Sequence, residues 1–436
     1  MTADGRDLLL TNAVLDGTRV GLRAKDGLIT EIGPDVLGPD AVDAPGAGET
    51  VLDAGGALLV PPLINSHTHA AMTLFRGHGD DLPLMRWLRE AIWPVEARLE
   101  AEDVYWGTRL ACLEMIRTGT TCFWDMYWHP EATARAVTDA GVRARIGPPM
   151  IDPETKAAIE QRDRAMEQQL DQLATSGERI GAAVSPHSIY TVNTEGLEFA
   201  AGLARDRQLP IQIHLSETEA EVTECVRQHG LRPAHYLDRL GLLGDRTALA
   251  HGVWFDRGEL ELVAERGATV VASPVSNMKL AVGGLLPYPK AREAGVRVAL
   301  GTDGAGSNNS LDLLSDLKIF ALGQRHAAND AEVIPVGEAW AIATGRRSDL
   351  IGVAEPLAPG EKADFLLLDP DCHELALGDL ESNLVYTAGG SVVRTTVVAG
   401  RVLMDGGHVE DAEEIIARAR ERSLGLGLGS GPASPA

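Results

Sequence analysis

The sequence predicts an α/β chain: a (β/α)8 barrel of the TIM type, with a small composite β-sandwich made from both chain ends. Three observations predict it. The middle of the 436-residue chain alternates short apolar, β-rich runs with longer helix-like segments. Both ends instead read as short strands broken by Gly, Pro and Asp. The length suits a barrel of roughly 250–300 residues plus a smaller module, and apolar residues, at 44 %, are enough to fill a core of that size.

Residues 1–60 form the N-terminal part of the sandwich, with strands at Leu8–Leu15, Arg19–Arg23, Leu28–Ile32 and Ala57–Val60. The barrel occupies 61–345. Its eight runs are Leu58–Ile64, Thr121–Met126, Arg143–Pro148, Ile180–Val184, Ile211–His214, Thr247–His251, Thr269–Ala272 and Val296–Gly301. Helical segments between them include Trp87–Thr118, Glu131–Ala140, Glu154–Thr175, Glu195–Arg207, Glu217–Gln228, Arg257–Arg266 and Leu311–Ala327. Glu217–Gln228 is charged on most faces and is expected at the surface. Eight such units favour a closed barrel over an open doubly wound sheet, and the G-x-G-x-x-G turn of a dinucleotide fold is missing. Residues 346–424 complete the sandwich and end in a helix, with strands at Ala363–Leu368, Val385–Ala388, Thr395–Val398 and Arg401–Met404. Residues 425–436, rich in Gly, Ser and Pro, are expected to be a disordered tail.

Net charge is −24, with 39 basic against 63 acidic residues. That argues against nucleic acid or anionic lipid as partner, since both need a basic face. Four cysteines without a C-x-x-C pair read as structural thiols in a reducing compartment. The N-terminus lacks a signal-peptide pattern, and no apolar run approaches the ~20 residues of a membrane span. A soluble, cytoplasmic protein is expected.

Polar residues gather at the C-terminal ends of four runs, the end where barrel chemistry occurs. The first run leads into Asn65-Ser66-His67-Thr68-His69, and the fifth ends in His214, followed by Glu217. The sixth ends in His251 and the eighth leads into Thr302-Asp303-Gly304. Residues i and i+2 of a strand share a side, so His67 and His69 can offer two imidazoles to one ion. His214 adds a third nitrogen and Asp303 an oxygen. Three nitrogens and a carboxylate suit Zn²⁺ and leave room for water; iron and manganese suit the set as well. One His at a strand end is more often a hydrogen-bonded core residue. The series H-x-H, H-x-x-E, H and T-D-G at strand ends, in this order, is far more specific. Glu217, at a strand-to-helix turn, could shuttle a proton to a substrate nitrogen, or only complement the helix dipole. His251 could polarise the attacking water. Asp303 could take that water's proton while ligating the metal.

With those residues in place, the sequence resembles the amidohydrolase superfamily. More narrowly it is similar to the 5-methylthioadenosine/S-adenosylhomocysteine deaminase group, within the set that includes s-triazine chlorohydrolases and guanine and cytosine deaminases. The resemblance runs from about Asp53 to Met404 and rests on PPLINSHTHAAMTLFRG, IHLSETEAEV, ALAHGVWF, SPVSNMKLA and LGTDGAGSNNSLDL. It implies zinc on His67, His69, His214 and Asp303, and proton transfer by Glu217, His251 and Asp303. It implies a nucleoside as the small-molecule partner, with ammonia and an inosine-type compound as products. Trp87 would pack on the purine or 5′ substituent, Glu96 would bind ribose hydroxyls, and His187 would touch ribose or base. Ser307 would lie near the base, or merely cap the helix starting near Leu311. Two-metal barrels of this kind often bridge their ions with a modified lysine from the fourth strand. The fourth run here leads into Ser185-Pro186-His187, and none of the six lysines lies there, so one ion is expected.

One departure bears on the substrate. Members that accept S-adenosylhomocysteine usually carry an arginine at the third strand end, to pair the amino-acid carboxylate. Here the stretch reads Arg145-Ile146-Gly147-Pro148-Pro149, with Pro148 near the arginine's place. Adenosine, 5′-deoxyadenosine and 5′-methylthioadenosine are therefore favoured over the homocysteine nucleoside. The alternatives are hydrolysis of guanine, cytosine, an s-triazine or a cyclic amide on the same site, and a metal-binding protein without catalysis. Homo-oligomers are common in such families, and no interface can be read from the sequence.

Overall fold

In the strand Leu8–Leu15 the buried residues are Leu8 and Leu10, then Ala13, because a bulge at the left-handed residue Asn12 resets the alternation. This strand is central to one mixed sheet of eight strands drawn from both ends of the chain. The sheet runs Arg401–Met404, Val393–Val398, Phe365–Leu368, Leu58–Val60, Leu8–Leu15, Thr18–Lys25 and Leu28–Gly33, with Thr50–Asp53 also beside Leu8–Leu15. Leu8, Leu10, Leu22, Ile29, Phe365 and Leu367 form its own apolar core. The computed structural model describes residues 6–37, 48–153, 155–348, 350 and 356–428.

The middle of the chain is the (β/α)8 barrel. Its strands are Leu63–Thr68, Thr120–Met126, Arg143–Gly147, Ile180–Ala182, Ile211–Leu215, Thr247–His251, Thr269–Ala272 and Arg297–Leu300. Neighbours in each four-stranded half pair in parallel. Single bridges at Val184–Ile211 and Ser188–His214 join the fourth strand's end to the fifth. The seam from eighth strand to first is held by Asp303 N–H donating to the His67 carbonyl at 3.0 Å, and by Asn65 and Thr302 bonding to each other. Gly301 permits this approach: a Cβ there would lie 2.8 Å from the His67 carbonyl oxygen. Inside the barrel, Trp124 is fully buried among the small side chains of Ala183, Ala248, Val271 and Ala299. Small residues on the facing strands leave room for one indole to fill the interior.

Several expectations need correcting. The first apolar run divides in two: Leu58–Val60 belongs to the end sheet, and the barrel strand is Leu63–Thr68, which places His67 inside a strand. Residues 385–388 are not a strand; Val385 is buried on the helix Leu380–Tyr386, where apolar β-branched side chains serve packing rather than pairing. The segment 87–118 is broken, comprising the π-helix Trp87–Ile92, the short helix Trp93–Glu96 and the helix Ala101–Thr118. The helix at 219–229 is not wholly superficial, since Glu221, Val222 and Cys225 are buried. The tail expected to be disordered from Gly425 is packed at its start. Gly425 ends the helix Ala412–Gly425, and Leu426 and Leu428 are buried against the barrel's first helices; residues 429–436 lie outside the described residues. Among the described residues no helix is long and apolar enough to cross a membrane.

Candidate active site and metal centre

His67, His69, His214 and Asp303 come from the first, fifth and eighth strands, and their ligand atoms all lie within 4.8 Å of one another. Each imidazole is fixed from behind. His67 Nδ1–H donates to Gln212 Oε1 at 3.0 Å, and that amide's own N–H₂ donates to the Ser66 carbonyl. His69 Nδ1–H donates to the Met126 carbonyl at 2.6 Å, and His214 Nδ1–H to the His187 carbonyl at 2.6 Å. Three partners that can only accept, or are oriented to accept, leave every Nε2 lone pair turned inward. His67 Nε2 is buried and has no hydrogen-bond partner. Asp303 Oδ1 stands 3.4 Å from His67 Nε2 and 3.2 Å from His69 Nε2. Its Oδ2 accepts from Ser276 at 2.6 Å and Ser307 at 3.0 Å. The residues present fit a divalent cation: three inward nitrogens and an anionic oxygen, all clamped by outer hydrogen bonds.

Backbone conformation contributes to the aim of these groups. Ser216, His251 and Asp303 all have positive φ (52°, 77° and 60°) at the ends of their strands. Such residues cost of order 1–3 kcal/mol each and concentrate where a side chain must be re-aimed. His251 Nδ1–H donates to Asn277 Oδ1 at 2.9 Å, so its Nε2 faces the cluster, 3.9 Å from Glu217 Oε1.

Glu217 precedes the helix Glu219–His229, whose cap is Thr218. Glu217 is therefore not the capping group; its side chain is buried in the cleft. Burial, with Asp303 adding negative charge nearby, pushes its carboxyl up to about 8. His187 is held down to about 3 by burial and by the imidazoles around it. Its Nδ1 lies 3.0 Å from Thr191 Oγ1, and its ring sits 4.6 Å from that of His214. Burial raises the Glu96 carboxyl as well.

His69, His214, Asp303, Glu217, His251, His187 and Glu96 line one open cleft, with His67 buried behind it. The cleft collects Glu217, His251, His187, Glu96, Trp87 and Ser307 beside the metal-binding cluster. Ser307 lies where its hydroxyl holds Asp303; the helix Leu313–Ala328 is capped by Asp312 instead. The remaining wall is apolar and aromatic, including Leu88, Ile92, Trp93, Trp128 and Leu280. At the third strand's end Pro149 and Ile151 line it, and no lysine or arginine does so among the described residues. Tyr127, Trp128 and Tyr190 were not singled out from the sequence. An aromatic just past a strand reads as core, and only position at the strand's C-terminal end hints otherwise.

The comparisons with known proteins agree with this geometry. The amidohydrolase family model matches residues 58–403. A 5′-deoxyadenosine deaminase of Methanoregula boonei is 44 % identical over 422 residues, covering 95 % of this chain and 94 % of that one. A 5-methylthioadenosine/S-adenosylhomocysteine deaminase of Haloquadratum walsbyi is 40 % identical, covering 91 % of each. A zinc-bound crystal structure of an adenosine deaminase from Xanthomonas campestris superposes with a TM-score of 0.88 at 33 % identity, over 96 % of this chain and 98 % of that one. With its four-residue cluster at the mouth of a (β/α)8 barrel, the chain belongs to the amidohydrolase family.

Proposed function

We propose that this protein is a zinc-dependent hydrolytic deaminase of adenosine-type nucleosides, acting at C6 of the purine with one ion per chain. The supporting observation is the placement of Glu217: its buried carboxyl lies in the cleft that His69, His214 and Asp303 also line, 3.9 Å from His251 Nε2. Zinc held by those four residues would supply hydroxide as nucleophile at neutral pH. Glu217 donates its proton to ring nitrogen N1 and so makes C6 electrophilic. His251, with Nε2 free and Nδ1 tied to Asn277, accepts the proton of the attacking water together with Asp303. Ser276 and Ser307 hold Asp303 in place for that task. Trp87 packs on the nucleoside, Glu96 binds ribose hydroxyls and His187 touches ribose or base. Ammonia leaves, and an inosine-type product remains.

The 5′ group is expected to be small or neutral. A carboxylate tail would meet Pro149, Ile151 and aromatic rings, with no cation to pair it. The deciding assay measures ammonia released from adenosine, 5′-deoxyadenosine, 5′-methylthioadenosine and S-adenosylhomocysteine, alongside zinc content. Turnover of the first three well above the fourth, lost on chelation, is expected. Inertness towards all four, with ammonia released from guanine or cytosine, would replace this reading with a base deaminase.

A further inference from the structure

The segment Ser273–Lys279 follows the seventh barrel strand, and two of its residues already serve the site: Ser276 holds Asp303 and Asn277 holds His251. A third, Lys279, has no part in the reaction described above. Its Nζ donates to Asn309 Oδ1 at 2.6 Å and to the Gly306 carbonyl at 3.3 Å, and pairs with Asp80 Oδ1 at 2.7 Å. These partners belong to two loops. Asp80 lies between the turn Ala70–Phe75 and the helical stretch that begins at Leu84; Gly306 and Asn309 follow Asp303 beyond the eighth strand. Arg76, at the start of the first loop, donates to the Asn309 carbonyl at 2.5 Å, so the two loops are joined twice.

The indole of Trp87 rests where these loops meet. A Cβ on Gly79 would lie 3.1 Å from the ring's Cδ1, and a Cβ on Gly306 would lie 3.2 Å from its Cζ2. Nε1 stands between those two carbons, and its hydrogen goes to the His78 carbonyl at 3.4 Å. The N–H edge of the indole is therefore seated on both loops, and glycine at each contact lets the backbone come that close. Trp87 also lines the cleft. Lys279 grips the seat at the same two places, through Asp80 beside Gly79 and through Gly306 itself. The side chains of Lys279 and Asp80 are 25 % and 44 % exposed, and a pair so exposed adds little to folding. What its three contacts fix is the place of one loop relative to the other.

We infer that Lys279 is a positioning residue for substrate binding: it ties the loop of Asp80 to the loop of Gly306 and so holds the seat of the Trp87 indole. This rests on the nucleoside reading, in which Trp87 packs on the substrate, and adds the group that keeps it there. Lys279→Met removes the tie while keeping an unbranched side chain. In the zinc-loaded enzyme it is expected to raise KM for adenosine about three- to tenfold, the range of coupling between neighbouring residues, with kcat nearly unchanged. Calorimetric titration with inosine is expected to show the same loss of affinity without turnover. In a Trp87→Leu background the substitution is expected to change neither quantity further, because its effect runs through the indole. Asp80→Ala cuts one arm of the tie at an exposed position. It is expected to raise KM by a smaller factor, again only while Trp87 is present, and it carries the test should Lys279→Met fail to fold. An equal rise with and without Trp87, or no rise in KM, would overturn the assignment. A fall in kcat at constant KM would also overturn it, and would place the action of Lys279 on Asp303 through Ser307. If Trp87→Leu alone leaves KM and inosine affinity unchanged, the indole is no substrate contact and the assignment falls with it. Failure of the unmodified enzyme to release ammonia from any adenosine nucleoside is a separate result, seen without any variant; it overturns the deaminase reading and the assignment together.

Discussion

In the metal-free protein, burial and the negative charge of Asp303 outweigh the opposing effect of His69, so the Glu217 carboxyl favours the protonated form. Replacing it by Gln keeps the shape and removes the transferable proton. Glu217→Gln is expected to retain its zinc, measured by elemental analysis, while kcat falls about 10²–10⁴-fold. Near-normal kcat in this variant would sink the shuttle role. A second consequence concerns stability. The folded-state pKa of about 8 lies above the ordinary 4.5, so between those values the metal-stripped folded protein holds a proton that the unfolded chain has released. Stability contributed by this group is therefore present below about pH 4.5 and is lost as pH rises towards 8. The melting temperature of metal-stripped parent, relative to Glu217→Gln, is expected to fall across that window; a constant difference would contradict it.

Leu84–Glu96 is a single helical stretch whose middle, Trp87–Ile92, is a π-turn, with Trp93 N–H donating to the Leu88 carbonyl five residues back. Trp87 and Glu96 are nine residues apart. In an unbroken α-helix, at about 100° per residue, they would point in opposite directions, roughly 180° apart. The wider turn brings both into one cleft, a use of π-turns common at functional sites. Gly79 lets the preceding loop lie against this turn, since a Cβ there would come within 2.6 Å of the Ala91 Cβ. Arg89 and Glu90 are exposed on its outer side, so deleting Arg89 removes the extra residue without removing a contact to substrate. The deletion is expected to raise KM for nucleosides at least tenfold while zinc content stays normal. Unchanged KM would show that the turn has no part in aiming Trp87. The sequence does not reveal this device, because the apolar spacing over 84–96 is read equally well by α- and π-helix. The clustering of four side chains, by contrast, is legible: His67, His69, His214 and Asp303 lie at or near the C-terminal ends of their strands, where a parallel barrel allows only one mouth. The barrel strands are legible for the same reason, and errors fall at their edges. Leu58–Val60 and Leu63–Thr68 form one apolar run that two sheets share, and only tertiary pairing divides it.

The barrel and the end sheet are joined by a buried ion pair. Arg143, at the start of the third barrel strand, donates through Nε at 2.6 Å and Nη2 at 2.9 Å to Asp364, whose Oδ1 also accepts from Ala399 N–H. The two side chains are 10 % and 2 % exposed. Breaking such a pair from one side leaves a buried charge without its counter-ion. Arg143→Met is expected to lower unfolding free energy by about 3–5 kcal/mol in denaturant titrations, while kcat of the folded fraction is unchanged; stability equal to the parent's would show that the two parts are held by apolar contact alone. The C-terminal helix Ala412–Gly425 makes the complementary connection at the other end of the barrel. Arg422 pairs with Asp103, Ser423 Oγ–H donates to the Leu74 carbonyl at 2.9 Å, and the Leu426 carbonyl accepts from Arg98. Leu74 lies in the 3₁₀ turn Ala70–Phe75, which begins directly after His69 and carries Met72 into the cleft. A fusion partner or a trimmed terminus that unseats Leu428 would therefore disturb the mouth of the barrel, though nothing in that helix touches the substrate. Carriers and affinity handles are better attached beyond a spacer that leaves this anchor in its seat.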